Sequence, residues 1–204
     1  LSRSRCRVHE IRGEMNPGFG GIHPEPMGRN LKALITAVQH ENAHLGVATD
    51  GDADRIGAVD ENGKVVWGDY LLLIIAREIL TRKPGATFIG EVKCSQLMYD
   101  HLERLGGNPI MYKTGHSLIK AKMKETGAPL AGEMSGHIFI SERWYGFDDG
   151  LYSCARLLEL LSLQPDPGFT LDVGKKAYRW GTGYAWNPVA FVERAKDAGN
   201  PELA

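Results

Sequence analysis

The sequence predicts an α/β protein with mixed, mostly parallel sheets flanked by helices. Three observations carry this expectation. Short apolar segments alternate with helix-periodic stretches from Trp67 to Leu163, the pattern of βαβ units. Two further short apolar segments bracket an Asp-rich turn, Thr49-Asp50-Gly51-Asp52-Ala53-Asp54-Arg55. Clusters of Gly, Pro and Asn punctuate the segments at the intervals that strand-to-helix connections need.

In chain order, residues 10–28 are rich in Gly and Pro and read as loop, with turns at Asn16-Pro17-Gly18 and Gly20-Gly21. Leu31, Leu34, Ile35 and Val38 recur at helical spacing over 29–41, with Asn30 as the expected cap. His40 and His44 fall near the end of that helix and read as solvent-facing. Residues 45–48 form a strand into the Asp-rich turn and 56–59 a strand out of it. A hairpin turn at Glu61-Asn62-Gly63 returns the chain into an antiparallel strand over 64–67. Asp69 caps a helix over 70–80 that Lys83-Pro84-Gly85 ends, and 87–92 is a buried strand. Ser95 caps a helix to Leu105, and Gly106-Gly107-Asn108-Pro109 leads to a strand at 110–112. Ser117 caps a helix to about Glu125, short strands follow at 130–131 and 138–140, and Asp149 or Gly150 starts a helix to Leu163. In such sheets ligands collect at strand C-termini.

Composition narrows the function. The 204 residues can bury a substantial core and hold one or two domains. With 24 Lys plus Arg against 25 Asp plus Glu, the chain has no positive field to gather nucleic acid or an anionic membrane. Cys6, Cys94 and Cys154 are odd in number and widely spaced, which fits a reducing compartment and a cytoplasmic location. No apolar run reaches the ~20 residues of a membrane span. The start on Leu1 beside Arg3, Arg5 and Arg7 reads as an interior boundary without functional weight.

The Asp-rich turn is the centre of the functional reading. Asp50, Asp52 and Asp54 lie at alternate positions within one turn, where like charges repel unless a cation sits among them. Oxygen-only ligands favour Mg²⁺ or Ca²⁺. A solvated turn and a phosphatase-type Asp50 nucleophile at a strand end are the rival readings. An EF-hand fails, because its sixth loop position needs Gly and the chain has Arg55, and because strands flank the loop. Arg55 favours the metal reading, since a guanidinium beside a metal loop suits a phosphate bridging both. Three polar loops fall at the predicted strand ends. Lys93, in Val92-Lys93-Cys94-Ser95, stands where a helix N-terminus can meet an anion. His116 follows Lys113-Thr114-Gly115 and is either a titratable contact or a packing residue. Glu133, Ser135 and His137 stand between Gly132 and the next strand. A carboxylate and a hydroxyl two residues apart suit vicinal sugar hydroxyls, which both donate and accept.

Taken together these loops resemble the α-D-phosphohexomutase family, in its phosphomannomutase/phosphoglucomutase branch. The resemblance spans roughly Gly21 to Leu163. Asp50-Gly51-Asp52-Ala53-Asp54-Arg55 is similar to the family's magnesium loop and Gly132-Glu133-Met134-Ser135-Gly136-His137 to its sugar-recognition loop. Lys93 and His116 match further active-site positions. The resemblance implies phosphohexomutase-type domains, divided as 1–64 (the end of a metal-loop domain), 65–164 (a sugar-recognition domain) and 165–204 (a linker and unassigned tail).

The resemblance also implies reversible transfer of phosphate between C1 and C6 of mannose or glucose phosphate, through a phosphoserine and a hexose 1,6-bisphosphate. Asp50, Asp52 and Asp54 would hold Mg²⁺, and Arg55 would contact the transferring phosphoryl group. Glu133 and Ser135 would grip O3 and O4. Lys93 and His137 would handle protons or charge at the reacting oxygen as well as touching substrate, and His116 would contact the phosphosugar. The sequence departs from the family pattern as well. The family's four domains are not all present, no Ser-His-Asn nucleophile loop or Arg-x-Ser-Asn-Thr phosphate clamp occurs, and Tyr70 stands where a basic residue is common. The missing domains are therefore expected to be needed for activity. A non-catalytic Mg²⁺-binding and sugar-phosphate-binding module, or an inactive truncated fragment, is the alternative.

Overall fold

The computed structural model describes residues 8–13 and 16–160, together with the backbone alone at 161–162, 177–180 and 183–186. The chain forms two α/β units on one continuous core. In the first, strands β1 (Leu45–Thr49), β2 (Ile56–Asp60) and β3 (Val65–Val66) make an antiparallel sheet in the order β1-β2-β3, with Thr49 opposite Ile56 at the Asp-rich turn. Helix α1 (Lys32–Glu41) and the Leu31 that precedes it cover one face, with Leu31, Leu34, Ile35 and Val38 packed on Ala48, Val59 and Val65.

The second unit holds β4 (Thr87–Glu91), β5 (Asn108–Tyr112), β6 (Leu130–Gly132) and β7 (Ile138–Ile140) in the order β5-β4-β6-β7. The pairs β4/β5 and β4/β6 are parallel and β6/β7 is antiparallel, so the expected mostly parallel sheet is this one. Strand alternation sends Phe88, Leu130, Ile138 and Ile140 to one face and Ile89, Ala131 and Phe139 to the other. The first face is covered by α2 (Gly68–Arg82), α3 (Gln96–Arg104) and α5 (Gly150–Ser162), the second by α4 (His116–Thr126).

Helix α2 is apolar almost all round and lies in the middle of the molecule. The core around it also takes in Ile56, Ala58 and Val66, so the antiparallel sheet is buried on both faces. This explains why β2 reads as a continuous apolar run rather than an alternating one. Burial of a side chain such as Ile56 contributes about 1.5–3 kcal/mol. Arg156 of α5, 2% exposed, meets Glu78 of α2 at 2.5 Å and Glu159 at 3.1 Å, which fixes the two helices against each other.

Three expected caps are corrected. Asn30 lies in a 3-10 turn, and its side chain donates to the Glu25 carbonyl at 2.9 Å while Leu31 takes the cap position. Asp69 lies inside the first turn of α2, where its carboxylate accepts from Tyr70 N at 2.9 Å and, across the core, from Ser95 N at 3.0 Å. Ser117 is inside α4, which starts after Gly115 at φ 132°. Ser95 and Asp149 cap as expected, accepting from Leu97 N and Tyr152 N. The linker expected at Pro165–Gly168 lies outside the described residues; beyond it, backbone strands β8 (Ala177–Trp180) and β9 (Gly183–Trp186) pair antiparallel. Among the described residues no helix is long and apolar enough to cross a membrane.

Candidate active site

The Asp-rich turn joins β1 to β2 and is closed by its own backbone. Ala53 N donates to the Asp50 carbonyl at 3.3 Å, and Ala53 itself takes a positive φ of 60°. This bend brings carboxylate oxygens of Asp50, Asp52 and Asp54 within 4.8 Å of one another. Burial pushes the Asp54 carboxyl above its ordinary range. Contact with Asp50 and the charge of Asp52 add to the push, and His137 opposes it. Three hard oxygen donors, close enough to repel, fit a divalent cation such as Mg²⁺, whose charge would relieve them.

Arg55 is held beside this cluster. Its Nη1 donates to Glu25 at 2.6 Å, its Nε stands 3.3 Å from Asp50 and 3.8 Å from Asp54, and its backbone N donates to Asp50 at 3.2 Å. The guanidinium is 29% exposed and remains reachable from solvent.

The turn is joined directly to the 132–137 loop. Ile56 N donates to the Gly136 carbonyl at 3.0 Å, Arg55 and His137 form an antiparallel bridge, and His137 Nδ1 lies 3.6 Å from Asp54. Gly136 has φ 95°, and a Cβ there would stand 2.4 Å from the Ile56 carbonyl oxygen. From the other side, the start of α5 donates Gly150 N to the Ala53 carbonyl at 2.8 Å, and a Cβ on Gly150 would meet the Arg55 carbonyl at 2.4 Å. Glycine at both positions lets the two units touch backbone to backbone.

The remaining predicted residues gather on the same rim. Glu133 is buried, accepting from Gly115 N at 3.0 Å and from the Ser135 hydroxyl at 3.2 Å. His116 is exposed at the start of α4, its ring 6.1 Å from that of His137. Lys93, 63% exposed, follows β4 and reaches to 3.8 Å from Glu91.

Two residues organise this rim that sequence reasoning did not single out. Glu91 is fully buried and ties three loops together. It accepts from Met134 N at 3.0 Å and from the Thr114 hydroxyl, and it faces Lys93. Its place at the C-terminal end of a parallel strand was the available signal. Asp148 lies 3.0 Å from His137 Nδ1 and 3.0 Å from Lys120 Nζ; adjacent to a helix-capping Asp149, it carried no signal of its own.

Comparison with known proteins gives the family. Residues 1–63 match the family described as phosphoglucomutase/phosphomannomutase, alpha/beta/alpha domain II, and residues 67–177 match domain III. A phosphomannomutase/phosphoglucomutase of Pseudomonas aeruginosa is 53% identical over 158 residues, covering 77% of this chain and 34% of the relative. A phosphoglucomutase of Neisseria gonorrhoeae is 48% identical over 166 residues, covering 81% and 36%. The crystal structure of a phosphoglucomutase/phosphomannomutase family protein from Burkholderia thailandensis superposes with a TM-score of 0.75 at 48% identity, over 79% of this chain and 36% of that one. The chain thus spans about a third of the length of these relatives. It belongs to the phosphoglucomutase/phosphomannomutase family, with residues 1–63 matching that family's domain II and residues 67–177 its domain III.

Proposed function

We propose that this chain supplies the metal loop and the sugar-recognition loop of a phosphohexomutase that moves phosphate between C1 and C6 of mannose or glucose phosphate. The observation that carries the reading is the seam between the two loops, with Ile56 N on the Gly136 carbonyl and His137 beside Asp54. It supports the reading because the Asp50, Asp52 and Asp54 carboxylates then adjoin the loop that holds Glu133 and Ser135.

In this reading Asp50, Asp52 and Asp54 hold Mg²⁺, which when bound neutralises charge on a phosphoryl group. Arg55 adds guanidinium donors beside the same group, leaving Glu25 as its partner when no substrate is present. Glu133 accepts from sugar hydroxyls, with Ser135 donating and accepting beside it. These contacts favour O3 and O4, which nearly exchange places when the sugar turns end for end, so both orientations are held and C2 is weakly read. Lys93 places positive charge at the rim, His116 contacts the phosphosugar, and His137 exchanges a proton with the reacting oxygen. The phosphoserine that passes its phosphoryl group to the sugar, and the domain that clamps the far phosphate, come from regions outside this chain. The hexose 1,6-bisphosphate stays bound between the two transfers.

The reading is tested by grafting residues 21–162 into the Pseudomonas aeruginosa relative in place of its matching segment. The graft is expected to interconvert mannose 1-phosphate and mannose 6-phosphate, and glucose 1-phosphate and glucose 6-phosphate, whereas the 204-residue chain alone turns over neither. Glu133→Ala in the graft is expected to impair both hexoses alike. A folded graft without mutase activity, or turnover by the chain alone, contradicts the reading. Asp52→Asn is expected to weaken Mg²⁺ binding at least about tenfold by calorimetry; an unchanged titration restores the solvated-turn reading.

A further inference from the structure

Of the two histidines predicted for this site, His116 is exposed and His137 is buried. Its backbone bridges Arg55, and its ring lies between those of His116 at 6.1 Å and Phe139 at 6.2 Å, both near-parallel to it. Its Nδ1 is buried and lies near two carboxylates, Asp148 at 3.0 Å and Asp54 at 3.6 Å. The approach to Asp148 is within ion-pair range but does not make a well-aligned hydrogen bond, so the contact is electrostatic.

Asp148 is itself only 6% exposed, and both its oxygens are engaged. One faces His137. The other accepts from Lys120 of α4 at 3.0 Å, whose ammonium also stands 5.9 Å from the Phe139 ring centroid. Lys120 balances a carboxylate that would otherwise be buried without a fixed counter-charge.

We propose that Asp148 is a positioning residue for the mutase reaction, an inference that rests on the function proposed above. Backed by Lys120, it fixes the ring plane of His137 and keeps the proton on Nδ1. Nε2 is then the nitrogen left to meet a sugar oxygen. A carboxylate facing one ring nitrogen selects the tautomer that protonates it, and the other nitrogen becomes the acceptor. Asp54 stands farther away and in the proposed function is committed to the metal, so the steady restraint falls to Asp148. The competing explanation is that the Lys120–Asp148 pair merely ties α4 to the segment before α5.

Two measurements separate these. In the 204-residue chain labelled with ¹⁵N-histidine and held in excess Mg²⁺ so that Asp54 is engaged, long-range ¹H–¹⁵N correlation at neutral pH is expected to show His137 chiefly as the Nδ1–H tautomer. Asp148→Ala shifts it toward Nε2–H and leaves the other histidines unchanged. Asp148→Asn keeps an acceptor oxygen without the charge and gives an intermediate mixture, and it carries the test if the alanine variant does not fold. A His137 pattern identical in wild type and in every folded variant overturns the proposal. In the graft, Asp148→Ala is expected to lower kcat by about 10- to 100-fold with KM for the hexose phosphate changed less than about threefold, and to add nothing to His137→Ala. A loss confined to KM, or one fully additive with His137→Ala, also overturns it. A wild-type graft without mutase activity defeats the function proposed for the site, and the tautomer measurement still decides what Asp148 does.

Discussion

Ala53 carries a local conflict that the loop tolerates. Its φ of 60° lies in the left-handed region, where a Cβ is disfavoured by roughly 1–2 kcal/mol. It is held there by the Gly150 N–H on its carbonyl and its own N–H on Asp50. Ala53→Gly is therefore expected to stabilise the chain by up to about 1 kcal/mol while leaving Mg²⁺ affinity in place, as checked by thermal melts and calorimetry; a destabilised variant would contradict the strain argument. The residues of the site divide by how they announce themselves. Asp50, Asp52, Asp54, Glu133, Ser135 and His137 were legible because chemically distinctive residues sit close together in sequence, and local spacing implies local convergence. Glu91 and Asp148 were not, because each is a single carboxylate whose partners come from other elements, Met134 and Thr114 for one and Lys120 and His137 for the other.

At the scale of elements, the strand and helix order was readable from periodicity, with boundaries shifted by one to three residues. The caps were less readable. Asn30 and Ser117 are residues that commonly cap, yet the cap positions fell to Leu31 and Gly115, where chain direction rather than side-chain chemistry decides. Asp69 shows why a composition rule can miss: its carboxylate joins the N-termini of α2 and α3 instead of closing one of them. Burial pushes its pKa up while the backbone amides of Ser95, Tyr70 and Asp69 itself pull the other way.

Next to it, Cys94 is 5% exposed, and burial pushes its thiol up to about 12. Cys94 is expected to resist iodoacetamide at pH 8 in the folded chain and to react once unfolded, read by peptide mass mapping; fast native labelling would show that the α2–α3 junction opens. The seam between units depends on Gly136, where a Cβ would strain φ and strike the Ile56 carbonyl. Gly136→Ala is expected to lower stability by about 1–3 kcal/mol and to expose the Ile56 amide to hydrogen exchange. Unchanged melting would mean that the contact is looser than its geometry.

For the whole molecule, the consequential fact is that one core runs through both units. Strand β2 packs under α2 and α5, so the loop after β1 and the loop after β6 are fixed at one edge rather than brought together by chance. Sequence reasoning reached both loops but had no means of seeing this shared burial, since periodicity reports which face is apolar and not what covers it. The central claim is that a divalent ion at the Asp50–Asp54 turn lies next to the sugar-recognition loop. Substituting Mn²⁺ for Mg²⁺ and following paramagnetic broadening of backbone amide signals tests it most directly on the 204-residue chain. Substoichiometric Mn²⁺ is expected to broaden residues 50–56 together with 135–138, to leave α3 and β5 sharp, and to lose its effect in Asp52→Asn. Broadening centred elsewhere, or at the turn without Gly136 and His137, would contradict the account.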